Sequence, residues 1–186
     1  MEILNNGIWV GSDAGKHHQF DEQLSHAIAN LFKFNDINNV IDIGCGLGYY
    51  KQVIESYGIT CDGFDGNPNT PELTNNKCQV LDVSENIENQ QQYDGLLCLE
   101  VGEHIPKEKE QVFIKNLAYY SPTLLVLSWA LPNQGGDGHV NEQTNQYIIN
   151  KFMEYGYTFQ TELTEALRYY VTNCWWFKQS IMVFYK

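Results

Sequence analysis

Hydrophobic positions along the chain switch between a helical and a strand rhythm, and the switches mark out its elements. Leu24, Ile28, Leu31 and Phe32 fall on one stripe, so a helix is predicted from about Glu22 to Phe34, capped by Asp21. Asn38 and Asn39 turn the chain into a β-branched run, Val40-Ile41-Asp42-Ile43, the first strand. Tyr49 to Tyr57 reads as a helix ended by Gly58. Ile59 to Phe64 reads as a second strand that stops at the turn signal Asp65-Gly66-Asn67-Pro68. Residues 69–76 read as loop and Cys78 to Leu81 as a short third strand. Tyr93 to Leu99 is a fourth strand, apolar almost throughout, as a central parallel strand should be. Glu100 to His104 reads as a helical turn closed by Pro106. Lys107 to Tyr120 reads as an amphipathic helix with Val112, Phe113, Leu117 and Tyr120 facing inward. A fifth strand, Thr123 to Trp129, precedes a loop of small and polar residues over 132–140. Glu142 to Tyr155 then reads as a helix, Tyr157 to Gln160 as a sixth strand, Thr161 to Tyr170 as a short helix and Ile181 to Tyr185 as the closing strand.

Strands alternating with helices imply an α/β fold, a mainly parallel sheet covered on both faces. Ligands of such sheets bind at the carboxyl ends of the strands, near the switch in strand order. That edge collects Asp42 to Gly48, Asp65 to Asn67, Asp82-Val83, and Leu99 to His104, each with acids or glycines just past a strand. The 186 residues suit one domain with a sizeable core, residues 1–36 forming an N-terminal flap and helix ahead of a core over 37–186.

Charge narrows the partners. Lys and Arg number 11 against 23 Asp and Glu, a formal net charge of −12, which repels phosphate backbones and anionic membranes. Lys107 and Lys109 alternate with Glu108 and Glu110 as on a solvated helix face, so they make no basic patch. No apolar run approaches the roughly 20 residues of a membrane span, and the N-terminus lacks a signal-peptide profile. The five cysteines form no C-x-x-C pair and read as reduced, mostly buried thiols, so the expected location is cytoplasmic. No nucleic-acid or membrane partner is expected, and nothing sets an oligomeric state.

The candidate chemistry begins at Asp42-x-Gly44-Cys45-Gly46-x-Gly48. Glycines there let backbone approach a ligand closely, and the helix that follows favours polar or anionic groups at its start; the alternative is a tight strand–helix turn with no ligand. A dinucleotide fingerprint needs a small residue where Tyr49 stands. Asp65 is placed to take both hydroxyls of a ribose, or else to open the Asp-Gly-Asn-Pro turn. Asp82 with Val83 suits an adenine, or else Asp82 caps a helix.

Taken in order, these segments and Leu97-Cys98-Leu99-Glu100-Val101-x-Glu103-His104-Ile105 resemble a class I S-adenosylmethionine-dependent methyltransferase over nearly the whole chain. The resemblance implies a Rossmann-like core, a seven-stranded mainly parallel sheet whose last strand is antiparallel. It implies that S-adenosylmethionine is the cofactor, with the loop of Asp42, Gly44, Cys45, Gly46 and Gly48 around its amino-acid end. Asp65 would hold the ribose and Asp82 with Val83 would contact the adenine, with Gly66, Asn67 and Leu99 as further cofactor-binding candidates.

Within the predicted turn, positions 100, 103 and 104 share a helical face, so two carboxylates and an imidazole would converge just past the fourth strand. Glu-x-x-Glu-His is similar to the metal-binding motif of small-RNA 3′-terminal 2′-O-methyltransferases and of ubiquinone-biosynthesis O-methyltransferases. Those families add a later ligand, which His139 would supply here. Glu100, Glu103, His104 and His139 would then hold Mg²⁺, Mn²⁺ or Zn²⁺, whose charge lowers the pKa of an acceptor hydroxyl. The alternatives are His104 or His139 acting as a metal-free base, or purely structural roles.

Trp9, His18, Trp129, Gln134 and Asp137 are the acceptor candidates, with His17 and Lys16 beside His18, while Trp175 and Trp176 read as packing. The expected acceptor is a sugar or small polyol with vicinal hydroxyls, because the 132–141 loop offers hydrogen-bonding groups and the acidic surface disfavours RNA. Ser128-Trp129-Ala130 and Gly138-His139-Val140-Asn141 also resemble small methyltransferase domains found near glycan-building enzymes. The rivals are methylation of a 3′-terminal RNA ribose and a non-catalytic S-adenosylmethionine-binding module.

Overall fold

Val40 to Ile43 are all buried, which fits a strand covered on both faces, and this strand lies in the interior of the main sheet. The computed structural model describes residues 2–13, 18–87, 91–120 and 122–186. The sheet has seven strands: β3 (Asn39–Ile43), β4 (Thr60–Asp65), β5 (Cys78–Val80), β6 (Gly95–Cys98), β7 (Leu124–Ser128), β8 (Thr158–Phe159) and β9 (Ile181–Tyr185). Their order across the sheet is β5-β4-β3-β6-β7-β9-β8. The pairs from β5 to β7 are parallel, and β9 runs antiparallel to both of its neighbours. The predicted fold class is therefore observed, with its one antiparallel strand inserted second from the edge. Ahead of the sheet, β1 (Glu2–Ile3) and β2 (Trp9–Val10) pair antiparallel.

Strand alternation splits the core in two. Leu124 and Val126 point to one face, with helices α1 (Glu22–Phe34), α2 (Tyr49–Ser56) and α6 (Thr161–Tyr169). Leu125 and Leu127 point to the other, with α4 (Glu110–Tyr119) and α5 (Asn145–Met153). Among the described residues, no helix is long and apolar enough to cross a membrane.

Four expectations are corrected. The loop over 69–76 contains a one-turn helix, α3 (Thr70–Leu73), with a proline in its first turn. Helix α4 starts at Glu110 rather than Lys107, and Val112 is only half-buried. Glu110 is not on a solvated face: it is buried and accepts from Lys107 Nζ, Tyr147 Oη and Asn141 Nδ2 at 2.8, 2.5 and 2.9 Å. Helix α5 starts at Asn145, capped by the Thr144 hydroxyl, so Glu142 is left in the preceding loop. A short helix near the C-terminus, α7 (Phe177–Ser180), completes the chain's elements.

Candidate active site

A cavity of about 420 Å³ opens at the carboxyl edge of the sheet, a size suited to a small-molecule ligand. Part of its floor is the turn from β3 into α2. Gly44 has φ +74°, and a Cβ there would come within 2.2 Å of Val101 Cγ2, so only glycine lets the turn pass beneath Val101. The Gly44 and Cys45 N–H groups both donate to the Phe64 carbonyl, which ties the turn to β4. Gly44 and Cys45 line the cavity; Gly46 and Gly48 shape it from behind, Gly46 under the His18 ring and Gly48 as the N-cap of α2.

Asp65 ends β4 and holds this turn. Its Oδ2 accepts from Gly46 N–H at 3.0 Å and its Oδ1 from Asn67 N–H at 2.9 Å, so the turn role and a place on the cavity wall coexist. Gly66 lies on the wall under Ile8. Asn67 does not face the cavity: it is buried, its amide donates to the Gly11 carbonyl and its Oδ1 accepts from Asn69 N–H. The sequence signal there was for the turn, and the turn is what Asn67 builds. Asp82, Val83 and Leu99 all line the cavity. Asp82 Oδ1 accepts from Ser84 N–H and Oγ, and its Oδ2 accepts from Asn6 Nδ2 at 2.8 Å, a partner from the N-terminal segment with no sequence signal. Asp42 is buried with Oδ2 unpartnered among the described residues. Burial, with the Cys78 and Asp65 charges nearby, pushes its carboxyl up to about 8.

The second cluster stands past β6. Glu100 adopts φ +54°, so the chain bends before a 3-10 turn at Gly102–His104. This corrects the expectation of one continuous helical face over 100–104. The Glu100 carboxylate is held by Ser128 Oγ on Oε1 (2.8 Å) and Gln134 Nε2 on Oε2 (3.1 Å). Glu103, His104 and His139 do converge, with donor atoms within 4.8 Å of one another. Glu100 falls outside that group but faces Glu103, and burial with this repulsion pushes Glu103 well above its usual range. Neither Glu103 oxygen has a hydrogen bond of good geometry among the described residues.

The loop carrying His139 is fastened to this turn by backbone and by Glu142. Val140 and Asn141 N–H both donate to the Glu103 carbonyl at 2.9 Å. Glu142 accepts from Asn133 and Gly135 N–H at 2.7 and 2.8 Å and lies 3.2 Å from His139 Nδ1. His104 Nδ1 lies 3.3 Å from the Gly138 carbonyl. Both imidazoles thus have an acceptor on Nδ1, which leaves Nε2 as the ligating or basic atom. Only glycine at 136 fits there, since a Cβ would sit 2.3 Å from His139 Nε2. Burial, together with the neighbouring His139 and His18, lowers His104 to about 4, so it is neutral at physiological pH.

The acceptor candidates divide. Trp9, His18, Gln134 and Asp137 line the cavity, and the Trp9 ring lies 5.2 Å from that of His104. Lys16 and His17 lie outside the described residues. Trp129 does not reach the cavity: it is fully buried, packs on Gly102 and Phe113, and donates Nε1–H to the Asn141 carbonyl at 2.6 Å. Strand alternation explains it, since Ser128 beside it takes the face toward Glu100. Trp175 and Trp176, read as packing, both line the cavity.

The comparisons with known proteins agree with this fold. The methyltransferase-domain family matches residues 16–162, most of the chain. This chain belongs to the class I S-adenosylmethionine-dependent methyltransferases. A curated relative, the ubiquinone biosynthesis O-methyltransferase of Rickettsia typhi, is 32% identical over 97 residues, 47% of this chain and 39% of that protein. The match therefore spans well under half of that relative's length. Among solved structures, an S-adenosylmethionine-bound amino pentose methyltransferase from Micromonospora echinaspora superposes with a TM-score of 0.67 at 13% identity, covering 92% of this chain and 93% of that one. The methyltransferase domain of a bacterial Hen1 gives 0.63 at 17%, covering 89% and 98%. At these identities the likeness is one of fold.

Proposed function

We propose that this methyltransferase transfers the methyl group of S-adenosylmethionine to a hydroxyl of a sugar or small polyol, assisted by a divalent cation on Glu103, His104 and His139. The observation that carries this reading is the buried Glu103 carboxylate without a good hydrogen bond, beside two imidazoles whose Nδ1 atoms are already engaged. A buried carboxylate in that state is costly unless protonated or met by a cation. The donor set of one carboxylate and two imidazoles fits Zn²⁺ or Mn²⁺ and accommodates Mg²⁺. When bound, the cation would gather two neighbouring acceptor oxygens and lower the pKa of the one to be methylated.

The chain's own residues do the rest. The glycine turn and Asp65 would hold the cofactor's amino-acid end and ribose, and Val83 would lie against its adenine. Asp82, whose Oδ2 accepts from Asn6 Nδ2, would offer its remaining acceptor capacity to the adenine amino group. Glu142 and the Gly138 carbonyl fix the two imidazoles, and Ser128 and Gln134 hold Glu100 beside them. Transfer forms an O–CH₃ bond and breaks the sulfonium S–CH₃ bond in line, leaving S-adenosylhomocysteine, with the acceptor's hydroxyl proton released to solvent. Such a displacement depends mainly on positioning. The curated relatives are O-methyltransferases and one structural neighbour acts on an amino pentose, which supports a hydroxyl on a small acceptor.

A second reading rests on the Glu142–His139 pair, which resembles a carboxylate-oriented base: His139 Nε2 would take the acceptor proton without a metal. A terminal ribose of RNA offers the same diol, but the −12 charge opposes it. The deciding experiment measures methyl transfer to sugars with and without chelator. With Glu103→Ala or chelator, activity should fall by at least ~100-fold while S-adenosylhomocysteine binding persists. Activity retained under both treatments overturns the cation and leaves His139 as the base.

A further inference from the structure

A single buried carboxylate assembles an aromatic wall inside the cavity. Asp21 caps α1 by accepting from Leu24 N–H at 3.2 Å. Its Oδ2 takes three successive backbone N–H groups, those of Thr172, Asn173 and Cys174, at 2.8, 2.7 and 3.0 Å. The Thr172 hydroxyl adds a bond to Oδ1 at 3.0 Å, and Asn173 Nδ2 donates to the Phe20 carbonyl at 2.8 Å. The Asp21 N–H donates to Tyr50 Oη at 3.3 Å. One residue thus joins the segment entering α1, the start of α2 and the turn ahead of α7.

The side chains carried by those three segments are aromatic and line the cavity. Phe20 packs on Tyr49 and Tyr50 with ring centroids 5.4 and 5.1 Å apart, and Trp176 stands 5.9 Å from Trp175. Trp175 and Tyr49 nevertheless keep 61% and 44% of their surface exposed. Rings built so firmly and left so open are arranged for a ligand rather than for the core.

We propose that this wall is the acceptor subsite, that it takes the apolar face of a neutral sugar ring, and that Asp21 is its positioning residue. The inference rests on the hydroxyl-transfer reading above and deepens it. A sugar ring is amphipathic: its C–H face packs on an indole while hydroxyls ring its edge. Asp137 and the Gly135–Gly136 backbone line the same cavity, and they offer partners for hydroxyls other than the reacting pair. A catechol would stack as well, but its two oxygens are both used at the reaction centre, so those polar groups would gain nothing. The net charge of −12 selects against phosphorylated sugars.

The test is calorimetric titration, with S-adenosylhomocysteine present, of methyl glycosides bearing vicinal hydroxyls and, in parallel, of catechol; turnover is followed where it occurs. In Trp175→Ala the glycoside Kd and KM should rise ~10-fold, S-adenosylhomocysteine affinity should hold, and Trp175→Phe should recover most of the loss. Asp21→Asn should raise the same KM without touching a ligand; if it fails to fold, the Trp175 pair still decides. Glycoside binding that is lost in Trp175→Ala without any methyl transfer upholds the subsite and sinks the hydroxyl-transfer reading instead. Glycoside binding indifferent to Trp175, no glycoside binding at all, or catechol binding tighter than every glycoside overturns the proposal.

Discussion

The two ends of the cavity treat their carboxylates in opposite ways. At the cofactor end, Asp65 and Asp82 each have both oxygens engaged by N–H or O–H donors of the chain itself. At the other end Glu103 is more deeply buried, neither of its oxygens has a good donor among the described residues, and it faces the Glu100 carboxylate. The first arrangement is complete as it stands and turns the glycine loop into a preformed cradle. The second is incomplete, and burial makes the deficit expensive. A preformed end suits a cofactor that every turnover uses; an end with a charge deficit suits a cation.

Asp65→Ala tests the independence of the two ends and has the largest expected effect. It removes the acceptor of both Gly46 and Asn67 N–H, worth about 2–3 kcal/mol for charge-assisted bonds. S-adenosylhomocysteine affinity should then fall by roughly 30–100-fold. The rise in Tm that Mn²⁺ or Zn²⁺ would cause on the cation reading should persist in the same variant. Loss of that rise would mean that the ends share one network and that the contrast is false.

Glu103→Gln works on the other end. Burial and Glu100 already push Glu103 toward its protonated form, so the gain belongs to alkaline pH: there a glutamine amide donates to Glu100 where an ionised Glu103 would be repelled, and the metal-free protein should gain about 1–2 kcal/mol. Differential scanning calorimetry at alkaline pH should show Tm higher by about 3–6 °C at this chain length, with the cation-induced rise abolished. A lower Tm in metal-free buffer would show that Glu103 is stabilised by partners of its own.

The cofactor end was the more legible of the two from sequence, for a physical reason. Its groups lie at the ends of strands with strong apolar runs, and glycine spacing reports backbone shape directly. Gly44, Asp65 and Asp82 stand where the pattern placed them. The other end depends on turns that the apolar pattern does not encode. Glu100 left the helical face because its backbone is left-handed, which glutamate disfavours and no periodicity announces. Glu142 was read as the first residue of a helix, because an acid before an apolar stripe looks like a helix start. In fact Thr144 caps α5, and Glu142 holds the His139 loop. Asp21 was read correctly as a cap, but its bonds to Thr172, Asn173 and Cys174 cross some 150 residues and have no local signature. From sequence alone the Trp175-Trp176 pair therefore reads as packing.

Asp42 is the exception within this end of the cavity, and the pH dependence it confers sharpens the contrast. It is buried with one oxygen unpartnered among the described residues. Its carboxyl stands at about 8 rather than the ordinary 3.8: burial is the main cause, Cys78 and Asp65 add to it, and the Lys51 N–H and charge only partly offset it. Between those two pH values the folded chain holds a proton that the unfolded chain has released, so Asp42 makes stability fall as pH rises from about 4 to about 8. Asparagine has no such proton to lose. Asp42→Asn should therefore leave Tm nearly unchanged at the acidic end of that window and raise it progressively toward the alkaline end. Equal Tm shifts at both ends would show that Asp42 is ionised throughout, and the cofactor end would then have the same kind of charge deficit as the cation end.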